Sequence, residues 1–216
     1  MLGVLCGLES EARIARCLPE AAVAIAGARP QKARWLAREL VKKGAKRLLS
    51  FGIAGGLEPG LPIGSMIIGT HISSVDGRWE CDKEWINGFV QKLPEAHCGG
   101  VWGSEYLVGT AKDKRVHYER SRCLIVDMES HCAAQIASEA GLPLAVLRVV
   151  CDNSDMNVPP LVMDAINEDG SINVGRALLS LLRHPLQIPG LVHVGRGTGK
   201  ALKILESAAA AYRAVS

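Results

Sequence analysis

The sequence predicts an α/β fold built on a mainly parallel sheet, and three observations carry this prediction. Two apolar runs, residues 124–126 and 144–150, have the length of buried strands. Between them lies a stretch of small residues, Ser130–Ala140, with a helical pattern that Gly141 and Pro143 end. Strand, helix and strand in this order are the repeating unit of a parallel sheet with a right-handed crossover.

The rest of the chain adds elements of the same kind. Strands are predicted at 2–6, at 21–27 (an edge strand), from Arg47 into a glycine-rich turn at 52–56, at 65–70 and at 106–110. Helices are predicted from Glu9 to about Leu18, at 31–43, at 176–183 and from about Thr198 to Val215, whereas 81–100 is expected to be a helix and an irregular loop and 112–122 a charged, solvated face. No repeat or linker interrupts the chain, so we expect a single domain over residues 1–216 with a helical, basic and apolar segment at 157–216.

Composition limits the classes of function. The 216 residues are 48% hydrophobic and 22% charged, as in a soluble globular protein. A net charge of +3 and an aromatic content of 4% argue against nucleic acid as a partner. The seven cysteines form no CxxC pair and no spacing of metal ligands, so we expect reduced, buried thiols and no metal. The N-terminus is not that of a secretory signal, and we expect a cytoplasmic protein.

Carboxylates follow several of the predicted strands. Glu11 comes after the first strand, Asp127 and Glu129 after residues 124–126, and Asp152 after residues 144–150. The carboxyl ends of parallel strands are the ligand-binding edge of an open α/β sheet, so we expect these acids to meet there. Taken alone, Glu11 is better explained as an ordinary acid in a first helical turn. Together, several close acids raise the pKa of at least one, which provides a proton donor beside ionised neighbours and suits cleavage of a bond to a sugar carbon.

A glycine-rich turn is predicted at residues 52–56. The backbone N–H groups of Gly52, Ile53, Ala54 and Gly55 would form a flat surface against a ligand. A dinucleotide or phosphate-binding glycine motif should open a helix, but Pro59 follows soon after. This proline argues against a dinucleotide-dependent oxidoreductase, which is one of the alternatives for the chain.

Two motifs carry a family resemblance. Residues 126–130, VDMES, followed by residues 148–155, RVVCDNSD, resemble the nucleoside phosphorylase and nucleosidase superfamily, which includes purine nucleoside phosphorylases and methylthioadenosine/S-adenosylhomocysteine nucleosidases. Residues 7–11, GLESE, and 52–56, GIAGG, stand in the expected order before them, and the resemblance covers residues 1–156. Within the superfamily the motifs and the basic, Leu- and Pro-rich tail are most similar to those of hopanoid-associated phosphorylases, which act on adenosylhopane.

The resemblance implies a fold, a reaction and a set of roles. The fold would be a three-layer α/β/α domain with a mixed, mostly parallel, twisted sheet. The reaction would be cleavage of the N-glycosidic bond of an adenine nucleoside without a cofactor, inorganic phosphate being a candidate co-substrate. The implied catalytic residues are Asp152, which protonates the purine, Glu11, which orients or deprotonates the nucleophile, and Arg148, which assists Glu11. The implied substrate-binding residues are Glu129 for the ribose hydroxyls, Met128 under the sugar, Asp127, and Gly52, Ile53, Ala54 and Gly55 on the nucleophile side.

Several alternatives stay open at this point. Ile53 stands where the family usually has a hydroxyl residue, and the N-terminal phosphate motif of the hexameric phosphorylases is absent, so water and phosphate both remain candidate nucleophiles. Residues 160–200 either pack on the sheet or a second subunit, or contact a membrane or lipid at the protein's periphery. A methylthioadenosine-type nucleosidase and a non-catalytic nucleoside-binding protein are further alternatives. Family members imply a homo-oligomer, at least a dimer.

Overall fold

One mixed sheet of eight strands forms the centre of the computed structural model, which describes residues 1–173 and 188–213. The strands are β1 Leu2–Cys6, β2 Ala21–Ile25, β3 Arg47–Gly56, β4 Met66–Ser74, β5 Gly77–Glu80, β6 His97–Gly103, β7 Ile125–Asp127 and β8 Leu144–Asp152. The helices described are α1 Glu9–Ala15, α2 Pro30–Lys42, α3 Lys83–Lys92, α4 Ala111–Ser121, α5 Ser130–Ala140, α6 Leu161–Asp164 and α7 Ile188–Arg213.

Strand β3 is the centre of the sheet because it has three partners. It pairs in parallel with β1 along its first half and with β8 along most of its length, and its last residues pair with β7 in the antiparallel sense. β8 is antiparallel to β4, β4 is parallel to β6, and β6 is parallel to β7. The sheet therefore closes on itself through β3, β8, β4, β6 and β7, while β1 and β2 extend it as an open edge.

Helices cover both faces of this sheet. On one face Ala33, Ala37 and Leu40 of α2 and the small residues of α5 pack into a buried cluster. On the other face a second cluster contains residues of α1, α3 and α7. The predicted fold class, a three-layer α/β/α arrangement with a mixed sheet, is confirmed.

The predicted parallel unit at residues 124–150 is wrong in its pairing. β7 and β8 are not neighbours, and β7 runs antiparallel to β3 through the pairs of Gly55 with Val126 and of Gly56 with Ile125. A pattern of apolar residues gives the length of a strand but not its partner or direction, and β7 has only three residues to specify either. Asp127 still reaches the cleft, because β3 is long enough to meet β7 and β8 at the same end.

The predicted glycine turn at residues 52–56 is also different in the structure. These residues continue β3 as a strand, and their glycines serve close packing. A Cβ atom on Gly52 would lie 2.5 Å from the carboxyl carbon of Glu11 and 2.7 Å from Nη1 of Arg148. The glycine-rich composition, which is typical of turns, here reflects side chains that press against the strand.

Four further differences concern local elements. Residues 106–110 form no strand, and the region 81–100 contains the unpredicted start of β6 as well as α3. The predicted solvated face at 112–122 is helix α4, in which Lys114 is fully buried. α7 begins at Ile188, well before Thr198, and the predicted helix at 176–183 lies outside the described residues. No described helix is both long and apolar enough to cross a bilayer.

Candidate active site

Arg148 lies in the middle of β8 and is inaccessible to solvent, with a relative exposure of 0%. Its Nε forms an ion pair with Oδ2 of Asp127 at 2.9 Å, and its Nη2 bonds Oε2 of Glu129 at 3.3 Å. Nη2 also donates to Oγ of Ser50 at 2.7 Å, and Nη1 donates to the carbonyl of Ile53 at 3.2 Å. Burial alone would lower the pKa of this guanidinium, but the surrounding carboxylates outweigh it and raise the pKa. Arg148 is therefore a permanent buried cation.

Glu11 lies in the first turn of α1 and joins the ends of two strands. Its Oε2 accepts the backbone N–H groups of Gly7 at 2.7 Å and Leu8 at 2.8 Å, and its Oε1 accepts that of Ile53 at 2.8 Å. Burial raises the pKa of this carboxyl, although Arg148 and the backbone donors act in the opposite direction. Glu11 is thus held rigidly, and its raised pKa makes it a better proton acceptor than an exposed glutamate.

Asp127 and Glu129 lie where β7 leads into α5. Oδ1 of Asp127 accepts the backbone N–H groups of Glu129 at 3.2 Å and Ser130 at 2.9 Å, and the hydroxyl of Ser130 bonds Oδ2. Asp127 therefore links the start of α5 to Arg148. It has a structural role and also lines the cavity. Burial raises the pKa of Glu129 to about 7; Arg148 opposes this shift, and Asp127 and Glu11 add to it.

Asp152, the last residue of β8, has a different cation. Nζ of Lys114 bonds its Oδ1, and the thiol of Cys151 donates to its Oδ2 at 3.2 Å. Lys114 comes from α4, and the sequence prediction missed it because its neighbours in the chain are charged and exposed. The sequence gives no signal for Lys114, because its partner Asp152 is 38 residues away in the chain.

Most of the predicted site residues line one cavity of about 360 Å³. These are Glu11, Ile53, Ala54, Gly55, Asp127, Met128, Glu129 and Asp152. Gly52 and Arg148 do not line the cavity. Because Gly52 has no side chain, it leaves room for those of Glu11 and Arg148. Arg148 is fully buried behind the carboxylates. The acids that are far apart in the chain therefore share one cleft, and Arg148 is placed to position them rather than to touch a nucleophile.

A second group of lining residues, the apolar wall, comes from the loop after β6, the segment around α6 and the first part of α7. Its members are Leu107, Val158, Val162, Met163, Ile166, Ile172, Leu191 and Val194. The sequence predicted apolar surface within 160–200, a range that contains Leu191, but it did not indicate Leu107 or Val158. A ligand that fills the cavity therefore has one polar side and one apolar side.

One group of residues outside the cleft has the composition of a metal site. Among the described residues, Glu105, His131 and Cys132 bring ligand atoms within 4.8 Å of one another. Nη2 of Arg34 bonds Oε1 of Glu105 at 2.9 Å, and the same oxygen lies 2.9 Å from Nε2 of His131. Burial raises the pKa of Cys132 to about 12, so its thiol stays protonated. The carboxylate of Glu105 already pairs with Arg34 of α2 and contacts His131 of α5, so we interpret the group as a structural link between these two helices.

The family comparison agrees with this architecture. The family model described as the phosphorylase superfamily matches residues 20–183. No curated protein sequence matches the chain.

Solved structures share the fold at low sequence identity. A 5′-methylthioadenosine/S-adenosylhomocysteine nucleosidase from Neisseria meningitidis is 15% identical with a TM-score of 0.73, covering 99% of this chain and 97% of its own. A futalosine hydrolase from Helicobacter pylori is 15% identical with a TM-score of 0.69, covering 96% of each chain. A 5′-methylthioadenosine-bound nucleosidase mutant from the same organism is 16% identical with a TM-score of 0.69 and the same coverage. With the family model matching most of the chain, this protein belongs to the phosphorylase superfamily and is an enzyme of its nucleosidase and phosphorylase class.

Proposed function

We propose that the protein cleaves the N-glycosidic bond of an adenine nucleoside by hydrolysis. The observation that carries the proposal is the single cavity lined by Glu11, Glu129 and Asp152, with Arg148 buried behind it and paired with Glu129. A departing purine needs a proton, a ribosyl cation needs negative charge beside it, and an attacking water needs a base. The cavity offers one carboxylate for each of these tasks.

The assignment of tasks follows the positions of the acids. Glu129 and Met128 would hold the ribose, because Glu129 is tied to Arg148 and faces the cavity. Asp152 would bond the purine at N7 on the side of Lys114. Glu11 lies on the other side, next to β3, and would accept the proton of the attacking water. As C1′–N9 breaks, the ionised neighbours stabilise the positive charge on the ribosyl group.

Water is supported over phosphate by the charges around the cavity. Among the described residues, those that line it include four acids and no Lys, Arg or His. Arg29 and Lys32 line a separate cavity of about 390 Å³ that shares only Ala28 and Met128 with the first. A phosphate dianion beside Glu11 would meet like charge, and none of the described lining residues offers it a cation. Phosphorolysis remains the second candidate, because the resemblance to hopanoid-associated phosphorylases favours it.

The apolar wall supports an apolar 5′ substituent on the nucleoside. Two substituents are candidates: a methylthio group, as in the ligand of a similar solved structure, and a hopane, as in adenosylhopane for hopanoid lipid biosynthesis. Incubation with adenosine, methylthioadenosine and adenosylhopane, with and without phosphate, distinguishes them by mass spectrometry of the products. We expect free adenine and a free ribosyl sugar from a 5′-apolar substrate. A phosphorylated sugar would establish phosphorolysis, and no free adenine from any substrate would contradict the proposal.

Catalysis can be separated from simple binding with one variant. Asp152→Asn should still bind the nucleoside but release adenine at least about 10²-fold more slowly, the usual contribution of a general acid. A wild-type protein that binds the nucleoside in calorimetry and leaves it intact would be a non-catalytic nucleoside-binding protein.

If the substrate is adenosylhopane, we further propose that residues 160–200 contact a membrane. Val192 of α7 is 48% exposed, and its neighbours Leu191 and Val194 line the cavity, so exposed apolar surface lies next to the site. Arg196 is exposed on the same helix. Val192→Glu should weaken co-sedimentation with anionic liposomes, whereas Val75→Glu, at an 82% exposed position in the β4–β5 turn, should not. Equal sedimentation of both variants and wild type would remove the membrane contact.

A homo-oligomer, at least a dimer, is the last part of the proposal. Trp35 is 57% exposed and Tyr106 is 60% exposed, and large aromatic side chains of this kind are enriched in protein interfaces. Light scattering on the purified protein should give at least twice the mass of the chain, and Trp35→Glu should lower that mass. A monomeric wild-type protein would contradict this part alone.

A further inference from the structure

Lys114 is the one lysine that is buried among the described residues, with a relative exposure of 0%. Five of the other ten residues of its helix α4 are exposed, among them Lys112 and Arg115 on either side of it. A buried ammonium is costly unless acceptors replace the water it loses. The position of Lys114 therefore depends on the groups that its Nζ contacts.

Three acceptors surround Nζ of Lys114. They are Oδ1 of Asp152, the carbonyl of Asn153 at 2.7 Å and the carbonyl of Met156 at 3.2 Å. Three acceptors match the three N–H donors of an ammonium group, so the charged form is fully satisfied. Asp152 is the only carboxylate among these three acceptors, and within residues 1–173 and 188–213 neither Lys114 nor Asp152 forms a second ion pair.

Lys114 reaches Asp152 from behind the cavity. Asp152 lines the cavity wall, whereas Lys114 does not. A substrate purine would thus contact the carboxylate and not the ammonium. The ammonium of Lys114 contacts this carboxylate on its side away from the cavity. A proton that Asp152 gives to the leaving purine can therefore be replaced from Lys114 through the same contact.

We propose that Lys114 is a positioning residue that supplies, through Asp152, the proton taken up by the leaving purine. As the C1′–N9 bond breaks, its electron pair moves onto the purine, and N7 takes a proton from the Asp152 carboxyl. The ammonium of Lys114 passes a proton to Asp152 and becomes a neutral amine, which regains its proton from solvent after the products leave. Glu11 accepts the proton of the attacking water. This inference rests on the proposed glycosidic cleavage and adds the source of its proton.

A comparison of two leaving groups tests the inference. Lys114→Met keeps the apolar stem and removes the charge, and Lys112→Met is the matched control on the same helix. On the adenine nucleoside that wild type cleaves fastest, we expect kcat of Lys114→Met to fall about 10²- to 10⁴-fold with KM changed only a few fold. On p-nitrophenyl riboside, whose phenolate leaves without a proton, kcat should stay within about 10-fold of wild type. An equal fall on both substrates would mean a merely structural role, and no fall on either would overturn the inference.

A double variant covers the case in which Lys114→Met does not fold or the artificial substrate is not accepted. Lys114→Met with Asp152→Asn removes both charges and leaves no unpaired carboxylate. If the two residues act as one proton path, the double variant loses no more kcat on the nucleoside than Asp152→Asn alone. If the fold-losses in kcat of the two single variants multiply in the double variant, the two residues do not share one proton path. A wild-type protein that releases no purine at all would instead contradict the proposed function.

Discussion

The two ends of the cavity neutralise their buried carboxylates in different ways. At the arginine end, Arg148 pairs with Asp127 and Glu129 and also interacts electrostatically with Glu11, while burial raises the pKa of Glu129 to about 7. At the lysine end, Asp152 pairs with Lys114 and with no second cation in the part of the chain that the structure describes. The arginine end therefore keeps excess negative charge, which suits a ribosyl cation, while the lysine end is a balanced pair, which suits exchange of a proton. The following predictions test this contrast.

Among these variants, Arg148→Met should lower the free energy of unfolding the most. It removes the cation that pairs with Asp127 and Glu129 and leaves these acids buried and without that partner, which costs about 3–5 kcal/mol. Urea unfolding followed by circular dichroism measures this loss. Arg115→Met is the matched control, because Arg115 is 79% exposed and pairs with Glu119 on the surface. A variant at Arg148 that is as stable as this control would show that the acids do not depend on the guanidinium.

Gly52→Ala should displace side chains at the arginine end by steric contact, without removing a charge. The added Cβ would lie 2.5 Å from the carboxyl carbon of Glu11 and 2.7 Å from Nη1 of Arg148, so at least one of them must move. We expect a loss of about 1–3 kcal/mol in the free energy of unfolding and of about 10²-fold in kcat/KM. Gly88→Ala in α3, where nothing lies within 4 Å, should retain full activity. Wild-type kcat/KM in Gly52→Ala would refute the role given to Gly52.

The pH dependence should report the excess negative charge directly. Because the pKa of Glu129 is raised from 4.5 to about 7, the folded protein holds this proton more tightly than the unfolded chain. The free energy of unfolding should therefore fall by up to about 3 kcal/mol as the pH rises from about 4.5 to 7. Over the same window kcat/KM should rise, because the ionised carboxylate accepts the ribose hydroxyls.

Glu129→Gln provides the control for this pH dependence. It should flatten the rise in kcat/KM and weaken the fall in stability, although Glu11, whose pKa burial also raises, would still contribute. Chemical unfolding and initial rates at a series of pH values measure both. An unchanged pH profile in Glu129→Gln would assign the titration to another group.

Cys151→Ala should have the smallest effect on kcat. It tests whether the thiol beside Asp152 contributes at the lysine end. The thiol donates to Oδ2 of Asp152 at 3.2 Å and to the carbonyl of Ala54 at 3.3 Å, but a thiol is a weak donor. We expect kcat to change less than about 3-fold, within the small net value of one weak hydrogen bond. A loss as large as that of Lys114→Met would mean that the thiol, too, controls Asp152.

Elements with a strong local pattern could be predicted from the sequence. β1, α2, α5 and β8 lie close to their expected positions, because each has an apolar run or stripe of its own. β6 was missed because it begins with His97, Cys98 and two glycines, which give no apolar alternation. The direction of β7 could not be predicted, because it depends on contacts with β3 that are distant in the chain.

The site shows the same division. Acids that follow strands, such as Glu11 and Asp152, are visible in the sequence because a buried strand needs no carboxylate at its end. Lys114 is not visible, because its partner Asp152 is 38 residues away and its neighbours on α4 are exposed. The apolar wall could be predicted only as a general property of the tail, since helix geometry decides which side chains turn inward.

The most direct test of the central claim is a crystal structure with methylthioadenosine bound to the catalytically slowed Asp152→Asn variant. The account predicts the adenine N7 within about 3.2 Å of the residue 152 side chain and the ribose hydroxyls on Glu129, both inside the one cavity. A nucleoside bound elsewhere, or bound with its sugar at residue 152 and its base at Glu129, would contradict the account.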